Sequence, residues 1–290
     1  MNNYSVLIPL GHKVPPEFLQ LCLQSIADQT VKPSEVVFVC DHPTPHALKD
    51  VVTQCLGKRG IACRYIDCTD IQQRGGRLGA ILARGVTQCA CELIARMDAD
   101  DIAPVDRCER QLQAFEEDAS LALVGGAAAE FSDSPNHILH YRWPPESCEA
   151  IVQFAKFRNP FNHSSVMFRK SAVLKAGNYN PVLKGCEDYC LWYKIIASGQ
   201  KVVNLPQVLL YSRADSDMFR RRQNPDNTAS SIKVKKMMLK DGFITRFQYL
   251  LSLAGILFLR HAPLGLVQLI YRTTLRSKKA KSQNHVVSGS

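Results

Sequence analysis

The sequence predicts an α/β fold, a mostly parallel, doubly wound sheet. Short apolar or β-branched runs alternate with segments of helical periodicity. Two of those runs stop abruptly at carboxylates, where open sheets of this kind bind ligands. The chain is also large enough for a substantial core: 290 residues, 46% hydrophobic and 21% charged.

The elements follow in order. "YSVLIPL" (4–10) is an apolar run stopped by proline and glycine, which reads as a buried first strand. In "PPEFLQLCLQSIADQT", Leu19, Cys22, Leu23 and Ile26 recur at helical spacing, and Pro16 and Glu17 suit a first turn. "EVVFVCD" (35–41) is a β-branched strand ending in Asp41. "HALKDVVTQCL" suggests a helix and "ACRYIDC" a third strand. "GGRLGAILARGV" offers a glycine turn and a helix with Leu78, Leu82 and Val86 on one face. "CELIARMD" is a fourth strand, "PVDRCERQLQAFEED" a helix opened by proline, and "LALVGGAA" a fifth strand. Residues 127–180 are less periodic; within them "FNHSSVMFRKSAVLKAG" reads as a strand returning to the sheet, then a short helix. "EDYCLWYKIIASG" is a helix, and "KVVNLPQVLLYSR" an extended pair of short strands.

Beyond residue 215 the character changes. "DMFRRRQNPDN" is polar, and the segment after it is apolar with basic residues at intervals. Its longest charge-free run, 247–259, falls short of the ~20 residues that span a bilayer. A helical hairpin packed on protein and an amphipathic segment in peripheral contact with an anionic membrane both stay open. The formal net charge is +10, with much of the excess C-terminal. The basic residues form no nucleic-acid motif, and an acidic cleft would repel a phosphate backbone, so no nucleic acid is expected. Eleven cysteines with no CxxC pair and no secretory leader predict free thiols and a cytoplasmic location.

The densest chemistry is "LIARMDADDIAPVDR" (93–107). Asp98 and Asp100 are two apart and, on extended backbone, leave one face together. Carboxylates so placed suit a hard divalent cation that also binds a diphosphate; turn and cap chemistry is the alternative. Asp41 can accept hydrogen bonds from a base or sugar edge, or simply shape a turn. Glu187 and Asp188 suit the first turn of a helix, and a carboxylate there can also take a proton from an attacking hydroxyl. His163 is a rival base or an acceptor ligand. Trp192 offers an apolar wall or a packing residue. Arg213 and Arg220–Arg222 could clamp phosphates or be solvated loop charges.

These stretches, taken in order from 4 to 213, make the sequence resemble the inverting, nucleotide-sugar-dependent glycosyltransferases of the GT-A family 2. "YSVLIPL" is similar to the family's opening strand and "ELIARMDADDIAPVDRCERQ" to its metal motif. "HSSVMFRKSAVLKAGNYNPVLKGCEDYCLWYKIIASGQKVVNLPQVLLYSR" is similar to its acceptor half. The resemblance implies a GT-A fold with a Rossmann-like nucleotide-binding half and a C-terminal helical tail. It implies a donor site with Pro9, Asp41, Asp98 and Arg213, and Mn²⁺ or Mg²⁺ on Asp100. Asp188 would be the catalytic base, with Glu187, His163 and Trp192 toward the acceptor. A nucleoside-diphosphate sugar, a UDP-sugar first, would pass its sugar to a glycan or undecaprenyl-linked saccharide in bacterial surface-polysaccharide synthesis at the inner face of the membrane. The sequence departs from the family at "DHPT", where His42 replaces a glycine, and at "QQRGGRLGAILARG", where Ala83 stands at an asparagine position. Arg74 or Arg77 would then serve the diphosphate.

The expected organisation is a transferase domain over 1–215, divided near 126 into nucleotide and acceptor halves, then a helical extension over 216–281 and a disordered tail over 282–290. Two other functions compete: a non-catalytic interaction protein that keeps the fold, and a nucleotidyltransferase.

Overall fold

The computed structural model describes residues 3–73, 78–214, 224–263, 265–267 and 277. One eight-stranded sheet organises them. Its first part is the parallel sheet the sequence predicts, in the order β3 (Ala62–Asp67), β2 (Glu35–Cys40), β1 (Tyr4–Pro9), β4 (Leu93–Arg96). β2 is buried throughout and β1 up to Pro9, which explains their nearly unbroken apolar runs. Side chains of β1 alternate between layers: Val6 and Ile8 face α1 (Pro16–Ala27) and α2 (His46–Cys55), while Leu7 faces α4 (Leu78–Gln88). A short helix, α3 (Thr69–Gln73), precedes α4. α5 (Arg107–Glu117) joins the first layer through Cys108, Leu112 and Phe115.

The second part of the sheet corrects the expectation of a mostly parallel arrangement. β7 (Met167–Arg169) runs antiparallel to both β4 and β5 (Leu121–Phe131), and β6 (Ile138–Arg142) is antiparallel to β5. The sheet is therefore mixed. β5 is buried along all eleven residues and pairs in parallel with β8 (Lys201–Arg213). "KVVNLPQVLLYSR" is thus one strand rather than two. Its register slips where Leu205 opposes Gly126 and Val208 opposes Ala127, leaving Pro206, which has no N–H to donate, at the irregularity.

α6 (Cys148–Ala155), α7 (Lys170–Lys175) and α8 (Glu187–Ala197) complete the second layer. Two further helices follow, α9 (Pro225–Lys240) and α10 (Arg246–His261). α9 docks on α8 through Val234 and Met238. Its buried Lys235 donates to the Tyr189 hydroxyl and to the Lys156 carbonyl, both at 2.7 Å, and burial lowers its pKa to about 8. Among the described residues, no helix is long and apolar enough to cross a membrane. The expected tail at 282–290, Arg74, Arg77 and Arg220–Arg222 lie outside the described residues.

Candidate active site

Parallel pairing brings the carboxyl ends of β1, β2 and β4 to one edge. Pro9 opposes Val39, and Leu7 opposes Arg96, so the segments after these strands emerge side by side. A cleft of about 230 Å³ opens there, lined by Pro9, Leu10, Gly11, Asp41, Gln72, Leu78 and Ile81. A second, of about 380 Å³, shares Gly11 and Asp41 and adds His12, His42 and Asp100. Pro9, Asp41 and Asp100 thus line neighbouring walls, as a donor site requires.

β4 ends at Arg96, so Asp98, Asp100 and Asp101 lie on a turn rather than extended backbone. Their environments differ. Asp98 receives a bidentate pair from the fully buried Arg96, Nη1 to Oδ2 at 2.8 Å and Nη2 to Oδ1 at 2.6 Å. Ser164 Oγ donates to Asp98 Oδ2 at 2.6 Å and also accepts from Arg96. Asp101 is buried and accepts from the Arg213 backbone N–H at 3.1 Å. Burial, then Asp98 and Asp100, push its pKa up to about 7. Asp100 faces the cleft, and its pKa is raised by burial and by Asp98. This crowded, oxygen-rich set with one carboxylate turned to the cleft fits Mn²⁺ or Mg²⁺ at Asp100. His12, Asp41 and His42 also bring ligand atoms within 4.8 Å of one another. His42 Nδ1 lies 3.0 Å from Asp41 Oδ1, so an imidazole stands directly beside this carboxylate.

The Arg213 guanidinium carbon lies 3.7 Å from the ring centre of Phe18 and 4.8 Å from that of Phe131. Nη1 donates to the Ser132 carbonyl, while Nε and Nη2 are buried without a protein partner. The Arg213 charge favours the ionised form of Asp100.

The second carboxylate pair is aimed by a tight turn. Gly185 and Cys186 both take left-handed backbone, φ 75° and 62°, directly before α8. Glu187 is buried; burial first, then Asp188, pushes its pKa up to about 7. Asp188 is raised by burial, while Asn159 Nδ2, donating to Oδ2 at 2.5 Å, and the nearby Arg96 favour its ionised form. Arg96, which grips Asp98, also favours the ionised forms of Glu187 and Asp188 through its charge.

His163 and Trp192 were both expected toward the acceptor. His163 bonds Tyr179 Oη through Nε2 at 3.0 Å, and burial with Arg96 drives its pKa well down, so it is neutral. Trp192 is fully buried among Phe161, His163, Phe168 and Tyr179. It points from α8 into the core layer against the sheet, which is the packing alternative. Sequence reasoning missed Arg96, Ser164 and Asn159. Arg96 did carry a signal, a charge inside an otherwise apolar strand, which a buried position tolerates only with a partner.

A sequence model of Glycosyl transferase family 2 matches residues 5–177. The amylovoran biosynthesis glycosyltransferase AmsE of Erwinia amylovora is 35% identical, over 92% of this chain and 97% of its own. An Escherichia coli UDP-Gal:alpha-D-GlcNAc-diphosphoundecaprenol beta-1,3-galactosyltransferase is 30% identical, over 94% of this chain and 97% of its own. Among solved structures, the Pyrobaculum calidifontis mannosyltransferase PcManGT, in complex with GDP-Man and Mn²⁺, superposes with a TM-score of 0.62 at 15% identity. That match covers 93% of this chain and 74% of the other, and it carries the fold alone.

Proposed function

The chain belongs to glycosyl transferase family 2, and from that premise we propose that it transfers a sugar, with inversion, from a UDP-sugar to a glycan or undecaprenyl-linked saccharide in bacterial surface-polysaccharide synthesis. The observation that carries this reading is the packing of Glu187 against Gly79 of α4, whose neighbour Leu78 lines one cleft with Asp41. The relatives named for amylovoran biosynthesis and for a diphosphoundecaprenol acceptor support the class of product and acceptor. Eleven cysteines outside any disulfide support a reducing compartment, the cytoplasmic side.

In this reading Asp188 accepts the proton of the acceptor hydroxyl, whose oxygen attacks the anomeric carbon as the diphosphate leaves from the opposite face. Asn159 holds one Asp188 oxygen and so orients the other. Glu187, buried next to it, positions the acceptor. Asp41 reads the base edge, and the two unpaired N–H groups of Arg213 receive phosphate oxygens. Bound at Asp100, Mn²⁺ or Mg²⁺ would supply Lewis-acid stabilisation of charge on the departing diphosphate.

Calorimetry with UDP, GDP and TDP, each with and without Mn²⁺, tests the donor site. Metal-dependent binding of UDP that Asp100→Ala abolishes is the expected result; a folded protein that binds none of the three overturns the reading. Asp188→Asn should leave UDP binding intact and lower turnover by about 10²–10⁴-fold.

A further inference from the structure

α10 is sixteen residues long and has no buried residue. Its inner side, including Tyr249, rests against the cluster that joins α8 to α9. The outer side is the unusual one. Phe247 is 75% exposed, Leu250 61%, Leu251 53%, Leu257 41% and Phe258 54%. Their spacing puts them along one stripe of the helix, about 18 Å long at ~1.5 Å per residue. No charged residue interrupts 247–259. Arg246 stands exposed at one end of the stripe, and Arg260 and His261 at the other. The Thr245–Gln248 capping box secures the first turn, so the stripe is presented on a well-formed helix.

A soluble surface rarely leaves this much contiguous apolar area open, and charge identifies what covers it. From residue 242 onward the sequence has seven Lys and Arg and not one Asp or Glu. Apolar side chains flanked by cations, on a helix too short to span, match the boundary between headgroups and acyl chains of an anionic bilayer. A protein partner would need acidic residues around an apolar groove. A second copy of this chain would set like charges at the helix ends against each other.

We propose that the outer face of α10 is a docking surface for an anionic phospholipid bilayer, on which the helix lies in the plane of the interface. Leu250, Leu251 and Phe258 enter the acyl boundary, while Arg246 and Arg260 meet phosphate headgroups. α9, which carries α10, also holds the turn before the Glu187–Asp188 pair: Ser230 Oγ accepts from the Lys184 N–H at 3.0 Å, and Asp226 pairs with Lys184. The lipid-facing element and the carboxylate pair are therefore built on one packed unit.

The test is co-sedimentation of the full chain with phosphatidylcholine vesicles and with vesicles containing phosphatidylglycerol. The wild type is expected to partition onto the anionic vesicles, less so at high salt, and hardly onto the neutral ones. The double variant Leu250→Gln, Phe258→Gln keeps the charge and changes only exposed positions. It should lower the partition coefficient by at least about tenfold with an unchanged helical circular dichroism spectrum and unchanged UDP affinity. Arg246→Gln with Arg260→Gln should erase the preference for anionic over neutral vesicles. Absence of wild-type partitioning, or equal partitioning of the Gln variants, overturns the proposal. So does a lipid-free dimer that Leu250→Gln, Phe258→Gln dissociates, since the occupant is then another copy. Because UDP binding is read separately, failure of the donor site and failure of the docking surface remain distinct.

Discussion

Arg96 is completely buried, whereas the Asp98 side chain that it grips is 38% exposed. The two ends of this ion pair should therefore respond unequally to substitution. Asp98→Ala strands a desolvated guanidinium whose Nε already lacks a partner, and should cost about 3–5 kcal/mol in urea denaturation. Arg96→Met leaves a carboxylate that water can reach, and should cost only about 1–2 kcal/mol. Equal losses would show that the pair is held some other way. Trp192→Ala, by contrast, is a core deletion expected to cost about 3–5 kcal/mol. Its kcal/mol cost should appear in stability, with little change in KM for the acceptor among the molecules still folded. Asp41, Asp98 and Asp100 stood out in the sequence because each follows the end of an apolar run, and Asp188 because it opens a helix. Ser164 and Asn159 were not, because a small polar residue in an irregular stretch looks the same whether it faces solvent or an active carboxylate. Trp192 was ambiguous for the opposite reason: four residues from Asp188 puts it one helical turn away, and whether that side is cleft or core depends on packing.

Between elements, α4 comes close to the segment leading into α8 at Gly79. A Cβ on Gly79 would stand 2.6 Å from the Asn180 carbonyl oxygen and 3.0 Å from Glu187 Cβ. Neither neighbour is the free end of a flexible side chain. Gly79→Ala should therefore destabilise by about 1–3 kcal/mol and shift Glu187, so that acceptor KM changes more than UDP affinity; a purely global loss of stability would spare that ratio. Strands β1 to β4 and helices α1, α2, α4 and α5 were readable because each is long enough to show its period and is closed by proline, glycine or a carboxylate. β6, α3 and α6 were missed: five, five and eight residues give periodicity little room. Direction was illegible for another reason. β7 is three residues long, and nothing in "MFR" tells which way a strand runs; its antiparallel course follows from the chain's return across β4 and β5.

For the molecule as a whole, pH couples stability to activity at the Glu187–Asp188 pair. Glu187 is raised from 4.5 to about 7, so the folded chain holds a proton there that the unfolded chain releases. Stability from this group is full below about pH 4.5 and declines as pH rises through about 7. In the proposed mechanism catalysis runs the other way, since Asp188, also raised, has to be ionised to take a proton. Turnover should climb as Asp188 ionises with rising pH while the denaturation midpoint falls. Glu187→Gln should flatten the stability trend; if the slope between pH 5 and 7 is unchanged, the pair is not its source. Another molecule-wide effect comes from the far end of the chain. Ser277 exchanges both backbone hydrogen bonds with Tyr141, at 2.8 and 2.9 Å, on the free side of β6. An uncovered strand edge invites other strands to add to it. A chain shortened at 267 should fold and still bind UDP, yet lose solubility as its concentration rises, because the sheet would have gained an open border.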